Sequence, residues 1–332
     1  MRANIKDVSQ AAGVSIKTVS RVLNNEKYVR AATRARVEEA MAALGFQPSA
    51  AARSLAGGKS FQIALVCSNP APYYLHGLIN GLRGRCADEG VRLIVHAYER
   101  DTDMLGEDVL GFFRQMDLDG VIMTPPIADH IPVLDELERA GTPYVRVSPT
   151  VELERGPSVA IDNVEAARQM TRRLIDLGHR RIGFVIGHKD FAVSAQRLDG
   201  YMNAIRECGI PLDGSLLQQG EFDFRSGQIA AERLLDMRRS PSAIFASSDD
   251  MAAGVLSVAH QRGLRVPADL SIAGFDDTDL ASLVWPPLTT IRQPFRAMAE
   301  RAAELLFSGA DEQLVLPAEL IERASTGACP GA

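Results

Sequence analysis

From Phe61 onward, short apolar runs alternate with stretches of helical periodicity, and this alternation constrains the fold of the 332-residue chain more than any other feature. Runs at 62–66, 91–95, 120–123, 144–147, 182–186, 243–246 and 270–274 have the length and composition of buried strands. Between them, residues 75–89, 106–116, 131–140, 166–177, 194–208, 230–237 and 251–261 repeat apolar side chains at helical spacing, and Gly90 and Gly141 stop two of these stretches. Strands alternating with helices form parallel sheets covered on both faces. Two such sheets are predicted, one before and one after about residue 160, giving a doubly wound α/β core of two subdomains. Ligands of such folds bind outside the carboxyl ends of the strands. Two sheets facing each other would line up those ends along an interdomain cleft.

The first sixty residues follow another pattern. Ile5, Val8, Ala11 and Ala12 recur at helical spacing, and Gly13 suits the left-handed turn that ends a helix. Ser15 can cap the next helix, which carries Val19, Val22 and Leu23 on one face until Asn24-Asn25 stops it. A third helix is predicted from about residue 31 to 44. Two short helices joined by a tight turn make a helix-turn-helix, whose second helix lies in the major groove of DNA. The candidates that helix would turn toward the DNA are Ser15, Ile16, Lys17, Thr18, Ser20 and Arg21, with Asn24 and Tyr28 completing the set. Lys17 and Arg21 can donate to guanine O6 and N7, and Thr18 and Ser20 suit phosphate oxygens. A three-helix protein-binding bundle has the same spacing and stays open on pattern alone.

Charge separates the two parts. The whole chain carries −6, an unfavourable balance for binding nucleic acid. Residues 1–60 nevertheless hold ten Lys/Arg against four Asp/Glu, leaving the remainder strongly acidic. A basic end on an acidic body fits a nucleic-acid module joined to something else.

The residues of this end are more specific than their spacing. Ile5-Lys6-Asp7-Val8, Ala11-Ala12-Gly13-Val14-Ser15, Thr18-Val19-Ser20-Arg21-Val22-Leu23-Asn24, Leu44-Gly45-Phe46-Gln47-Pro48 and Ala52-Arg53-Ser54-Leu55 together resemble the signature of the LacI/GalR repressor family. The likeness continues through Leu177-Gly178-His179-Arg180-Arg181-Ile182-Gly183, Arg197-Leu198-Asp199-Gly200-Tyr201, Ser247-Ser248-Asp249-Asp250-Met251, Gly274-Phe275-Asp276-Asp277 and Pro287-Leu288-Thr289-Thr290-Ile291. It implies a helix-turn-helix headpiece at 1–47, a hinge helix and linker at 48–60, and a periplasmic-binding-protein-like core at 61–332. Within that core, the N-subdomain would take about 61–160 plus a crossover near 290–325, and the C-subdomain about 161–290. The resemblance also makes Ile16 and Lys17 the pair that selects the operator and Arg21 a base reader. Leu55, with Ala52 one helical turn earlier, would wedge into the minor groove.

Candidate effector residues fall just after the strands and match family effector positions: Asn69, Tyr73 and Tyr74 after the first, Thr124 after the third, Ser148 after the fourth, then Arg197, Phe222, Ser248 and Asp276, with Trp285 further on. An arginine donates a fork to adjacent hydroxyls, a carboxylate accepts from two more, and aromatic faces stack on a pyranose. Ser148 and Ser248 depart from residues common in sugar-binding members, so no specific sugar follows.

Other chemistries find little support. Cys67, Cys86, Cys208 and Cys329 are scattered and form no CxxC pair, and no metal, cofactor or catalytic residue is expected. Gly77, Gly81 and Gly84 do not match GxGxxG spacing and suggest close helix packing. Asp249-Asp250 is better explained at a helix start than as a metal site. No apolar run approaches the roughly 18 residues of a membrane helix, and the first residues lack an apolar signal core, so cytoplasmic residence is expected. The expected protein is a homodimeric repressor of carbohydrate-utilisation genes, bound to a palindromic operator on double-stranded DNA and released by a mono- or disaccharide. A purine or other non-sugar co-repressor is the alternative, and a transport solute-binding protein or a sugar-modifying enzyme are more distant rivals.

Overall fold

A computed structural model describes residues 3–23, 28–46, 59–68, 72–98 and 105–330. The N-terminal part is three helices, α1 (Ile5–Ala12), α2 (Ile16–Leu23) and α3 (Ala31–Ala43). Asn4 opens α1 with a capping box: its side chain accepts from the Lys6 N–H at 2.8 Å, and its own N–H donates to the Asp7 carboxylate at 2.8 Å. Gly13 closes α1 at φ +61°, a backbone that side-chain-bearing residues rarely adopt. Ser15 then caps α2, its Oγ accepting from the Thr18 N–H at 3.2 Å. Val8, Ala12, Val19, Val22, Val37 and Ala40 form the small core that sets α2 across α1.

The core is α/β with two parallel sheets, as the alternation predicts. The first sheet runs β11-β5-β4-β3-β1-β2, built from β1 (Gln62–Ser68), β2 (Arg92–Tyr98), β3 (Gly120–Met123), β4 (Tyr144–Val147), β5 (Ser158–Ile161) and, from far along the chain, β11 (Gln313–Leu316). Side chains alternate across it. Ile63, Leu65 and Cys67 pack beneath α4 (Pro72–Asp88) and α12 (Phe295–Ser308), whereas Ala64 and Val66 pack beneath α5 (Leu105–Gln115) and α6 (Ile131–Ala140). Gly77 and Gly81 let α4 and α12 touch: a Cβ on Gly81 would sit 2.5 Å from the Arg296 carbonyl oxygen. Gly84 faces no such neighbour.

The second sheet runs β7-β6-β8-β9, from β6 (Ile182–Ile186), β7 (Leu217–Gln219), β8 (Ala243–Ala246) and β9 (Ser271–Ala273). One face carries α7 (Asn163–Asp176) and α8 (Ala192–Glu207), the other α9 (Phe224–Leu235) and α10 (Asp249–Gln261). After β9 comes the short α11 (Asp279–Leu283). The chain then leaves through β10 (Thr290–Arg292), supplies α12 and β11 to the first sheet, and returns through β12 (Glu319–Ile321), which pairs antiparallel with β10.

Several elements differ from the pattern-based expectation. α7 begins at Asn163 rather than 166, because the Asp162 carboxylate accepts from the Glu165 N–H at 2.9 Å. α9 begins at Phe224 rather than 230, because Asp223 caps it through the Ser226 N–H at 2.7 Å. The pattern does not mark the strands β5, β7, β10, β11 and β12; each is only three or four residues long. No helix among the described residues is long and apolar enough to cross a membrane.

Candidate functional site

In the headpiece, burial of Val19 and Val22 turns the opposite face of α2 outward. Ser15, Ile16, Lys17 and Arg21 are exposed, and Thr18 and Ser20 are half-buried at its edges. The Thr18 hydroxyl lies 2.9 Å from the Ser15 hydroxyl, so these two groups hold each other at the start of the helix. Tyr28 is 97% exposed. The predicted contacts at Asn24, Ala52 and Leu55 lie outside the described residues.

A second site lies where the carboxyl ends of the two sheets meet. A cavity of about 60 Å³ is lined by Tyr74, Pro125, Ser148, Phe191, Val193, Phe222 and Asp276. Each reaches it for a local reason. Tyr74 comes from the first turn of α4, its ring edge-on to Phe295 at 4.9 Å. Ser148 follows β4, on a loop that Arg146 gathers. That guanidinium is fully buried and donates to the carbonyls of Ala128, Val151, Glu152 and Arg155 and to the Asp129 carboxylate, so its five N–H groups are all engaged. Phe222 follows β7 and meets Phe191 edge-to-face at 5.6 Å. Three lining residues, Ser148 (φ +51°), Phe222 (φ +61°) and Asp276 (φ +116°), hold backbone conformations that usually belong to glycine. Such strain costs of order 1–3 kcal/mol per residue and clusters at ligand sites.

Behind Asp276 and Phe222 lies Arg197, on α8 and almost wholly buried. Its Nε donates to Asn163 Oδ1 at 3.0 Å, and its Nη1 donates to the Ser247 carbonyl at 2.5 Å and stands 3.5 Å from Asp276 Oδ1. The guanidinium carbon sits 3.8 Å from the centre of the Phe275 ring. Gln293 donates to Asp276 Oδ1 at 2.6 Å. Burial pushes the Asp276 carboxyl up to about 7, against the opposing pull of Arg197 and Gln293. Burial, reinforced by Asp276, also raises Asp249 well above the carboxylate range. Asp249 accepts from the Thr290 hydroxyl at 2.7 Å and the Thr278 N–H at 2.8 Å, so it ties α10 to β10.

The structure thus brings Tyr74, Ser148, Phe222 and Asp276 to one cavity, with Arg197 at its wall. Four other candidates stand elsewhere. Trp285 is 81% exposed and lies outside the lining. The Ser248 hydroxyl is committed as the cap of α10, accepting from the Met251 N–H. Thr124 is fully buried with its hydroxyl donating to the Val66 carbonyl, and Tyr73 is half-buried outside the lining. Asn69 lies outside the described residues. Sequence reasoning marked Pro125 only as a departure beside Thr124, and it missed Phe191 and Val193 in the lining and Asn163 and Gln293 behind it. Phe191 alone left a signal, an aromatic residue just after a strand, as Phe222 is. Among the described residues no group of His, Cys, Asp and Glu side chains is arranged to hold a metal.

Comparison with known proteins finds two family matches: residues 4–49 match the bacterial regulatory proteins of the lacI family, and residues 171–326 match a periplasmic binding protein-like domain. The HTH-type transcriptional regulator DegA of Bacillus subtilis is 35% identical, the alignment covering 98% of each chain. The HTH-type transcriptional repressor CytR of Escherichia coli is also 35% identical, over 99% of this chain and 97% of its own. Among solved structures, the Lac repressor dimer bound to operator and an anti-inducer superposes with a TM-score of 0.85 at 29% identity, covering 99% of this chain and all of that one. The regulator CelR in complex with cellobiose gives 0.73 at 31% identity, over 98% of this chain and all of its own.

Proposed function

The chain belongs to the LacI family of bacterial regulatory proteins, and on that premise we propose that it is a repressor of carbohydrate-utilisation genes whose grip on DNA is released by a small sugar. That it is a DNA-binding transcriptional regulator rather than an enzyme follows from the family. The finer reading has four parts: a homodimer, a palindromic operator, contacts through Ser15, Ile16, Lys17, Thr18, Ser20 and Arg21, and a sugar held by Arg197, Asp276 and the aromatic residues near them. Residues 1–47 would form the headpiece, 48–60 the hinge, with Ala52 and Leu55 at the operator centre, and 61–332 the effector-binding core.

The observation that supports this reading best is the Arg197–Asp276 pair beside a cavity walled by Tyr74, Phe191 and Phe222. Asp276 can accept from ring hydroxyls, and the aromatic faces can cover the apolar faces of a pyranose. The cellobiose bound to the related CelR is a ligand of that class. At about 60 Å³ the cavity has room for about two waters and is far smaller than an ordinary ligand pocket. A sugar therefore has to part the two sheets to enter. Parting them acts on the crossover segments, because Gln293 and Thr290 tie that segment to Asp276 and Asp249. A sugar that binds the parted form better than the operator-bound form then lowers operator affinity.

Fluorescence anisotropy on a palindromic operator with a central CpG, titrated with monosaccharides, disaccharides, nucleosides and nucleobases, tests the proposal. Release by one sugar is the expected outcome, and release by none of the sugars refutes it. A nucleoside or nucleobase that tightens binding would instead support the co-repressor reading, which the apolar lining of Pro125, Phe191, Val193 and Phe222 also suits.

A further inference from the structure

We propose that His188 is a positioning residue, held as its Nε2–H tautomer, that clasps the two loops bearing Phe191 and Phe222 into a single rigid wall of the cavity. The consequence for effector choice rests on the reading of this cavity as the effector site; the clasp itself does not.

His188 follows β6 at its carboxyl end and is 7% exposed. Its Nδ1 accepts from the backbone N–H of Asp190 at 3.1 Å. A nitrogen that accepts carries no proton, so the ring proton sits on Nε2. Nε2 faces the Glu221 carboxylate at 3.2 Å, on the loop after β7. The ring therefore joins the two loops through one hydrogen bond within its own loop and a close contact with the Glu221 carboxylate on the other. The first loop is wound around it: the His188 carbonyl accepts from the Ser194 hydroxyl at 2.8 Å and from the Phe191 N–H at 3.1 Å. The second is fixed beyond Glu221, whose N–H donates to Ser226 Oγ at 2.9 Å at the start of α9.

Each loop delivers one aromatic residue. The imidazole lies edge-to-face with Phe191 at 5.7 Å, and Phe191 meets Phe222 in the same way. Their spacing leaves no slack: a Cβ on Gly187 would come within 2.0 Å of the Phe222 ring. The Gln219 amide adds a second link, donating to the carbonyls of Gly187 and Gly220. Gln219 is exposed and bonds only to carbonyls, whereas His188 is buried and reads both a donor and an acceptor. The charged groups near the ring are Glu221 and, at 3.8 Å, Asp190. With both loops moving as one, Phe191 and Phe222 stay in contact while the sheets part, so the wall presents one fixed apolar shape to a ligand.

The test uses the full chain and needs no effector. Imidazole ¹⁵N spectra of the histidine-labelled protein, with His188→Gln identifying the resonance, are expected to show a protonated Nε2 and a bare Nδ1. Hydrogen exchange by mass spectrometry then compares residues 187–194 and 219–226. In His188→Ala, exchange should quicken about tenfold in both segments together. In His188→Gln, whose amide offers a donor and an acceptor at similar reach, it should return toward the native rate. A protonated Nδ1, quickening confined to 187–194, or no difference between the alanine and glutamine variants would overturn the proposal. Because operator binding is not part of the measurement, the clasp can fail while the regulator reading stands.

Discussion

Replacing Asp276 with asparagine should stabilise the protein at neutral pH while removing its response to effector. Asp276 is buried with its carboxyl raised from an ordinary 3.8 to about 7, so the folded protein binds this proton more tightly than the unfolded chain does. A group raised in this way costs stability as pH climbs: the cost begins above the unfolded value and is complete above the folded one. At about 1.4 kcal/mol per pH unit, the interval from 3.8 to 7 corresponds to an upper bound of about 4 kcal/mol at pH 8. Roughly 2–3 kcal/mol of that accrues between pH 5 and pH 8. Asparagine keeps an acceptor for Gln293 and carries no charge to desolvate. Against this, Arg197 loses its nearby anion, though its bonds to Asn163 and the Ser247 carbonyl remain. That loss arises only as the carboxylate ionises and is already contained in the value of about 7, which Arg197 lowers. Thermal melts of the wild type and Asp276→Asn at pH 5, 6, 7 and 8 check the argument. The difference in Tm should move in favour of the variant as pH rises. Parallel curves would show that Asp276 does not titrate in this interval and would refute the electrostatic account of the site.

Four further outcomes are expected. Arg197→Met should abolish effector release while leaving operator affinity within about threefold, both read by anisotropy; a surviving response would remove Arg197 from the site. Leu55→Ala should weaken operator binding by 1–3 kcal/mol, as loss of a specific contact does, and should spare non-specific DNA; equal losses on both would exclude the wedge role. The single tryptophan, Trp285, is 81% exposed, so acrylamide should quench its fluorescence freely, with and without effector; protection on adding effector would return it to the site. Gly200→Ala should destabilise by about 1–3 kcal/mol in thermal melts, because its Cβ would sit 2.2 Å from the Val164 carbonyl oxygen where α7 and α8 touch; an unchanged Tm would mean the helices can separate at no cost.

The fold was legible where side chains repeat over enough residues to carry a period. Ile63-Ala64-Leu65-Val66 is buried on both faces and reads as a strand from composition alone. Thr290-Ile291-Arg292 and Glu319-Leu320-Ile321 do not, because three residues hold no repeat and their pairing is set by the crossover path. Helix starts were read late at α7 and α9 because the first turns are chosen by the caps Asp162 and Asp223 rather than by apolar spacing. The cavity was partly legible for a related reason. Ser148 and Asp276 follow strands that the pattern marks, so the fold rule points at them directly, whereas Phe222 follows β7, which the pattern does not mark. Asn163 and Gln293 approach Arg197 and Asp276 from segments far away in sequence, and no local pattern marks them. Ser248 and Thr124 follow strands too, yet their hydroxyls are taken up by the backbone around them. Position after a strand selects neighbourhood; the hydrogen-bond ledger decides which side chains are left for a ligand.

The left-handed backbones at Ser148, Phe222 and Asp276 have a bearing on how the site can change over generations. A branched Cβ is poorly tolerated at such a φ, so single substitutions there lead mainly to glycine, asparagine or aspartate. The residues that could re-aim polar contacts are thus drawn from a short menu. Phe191 stands at φ −100° and faces no such restriction. New ligand preferences should therefore arise first at Phe191, as changes in the shape of the apolar wall, while Ser148, Phe222 and Asp276 form the slowly drifting frame against which each new ligand is tried.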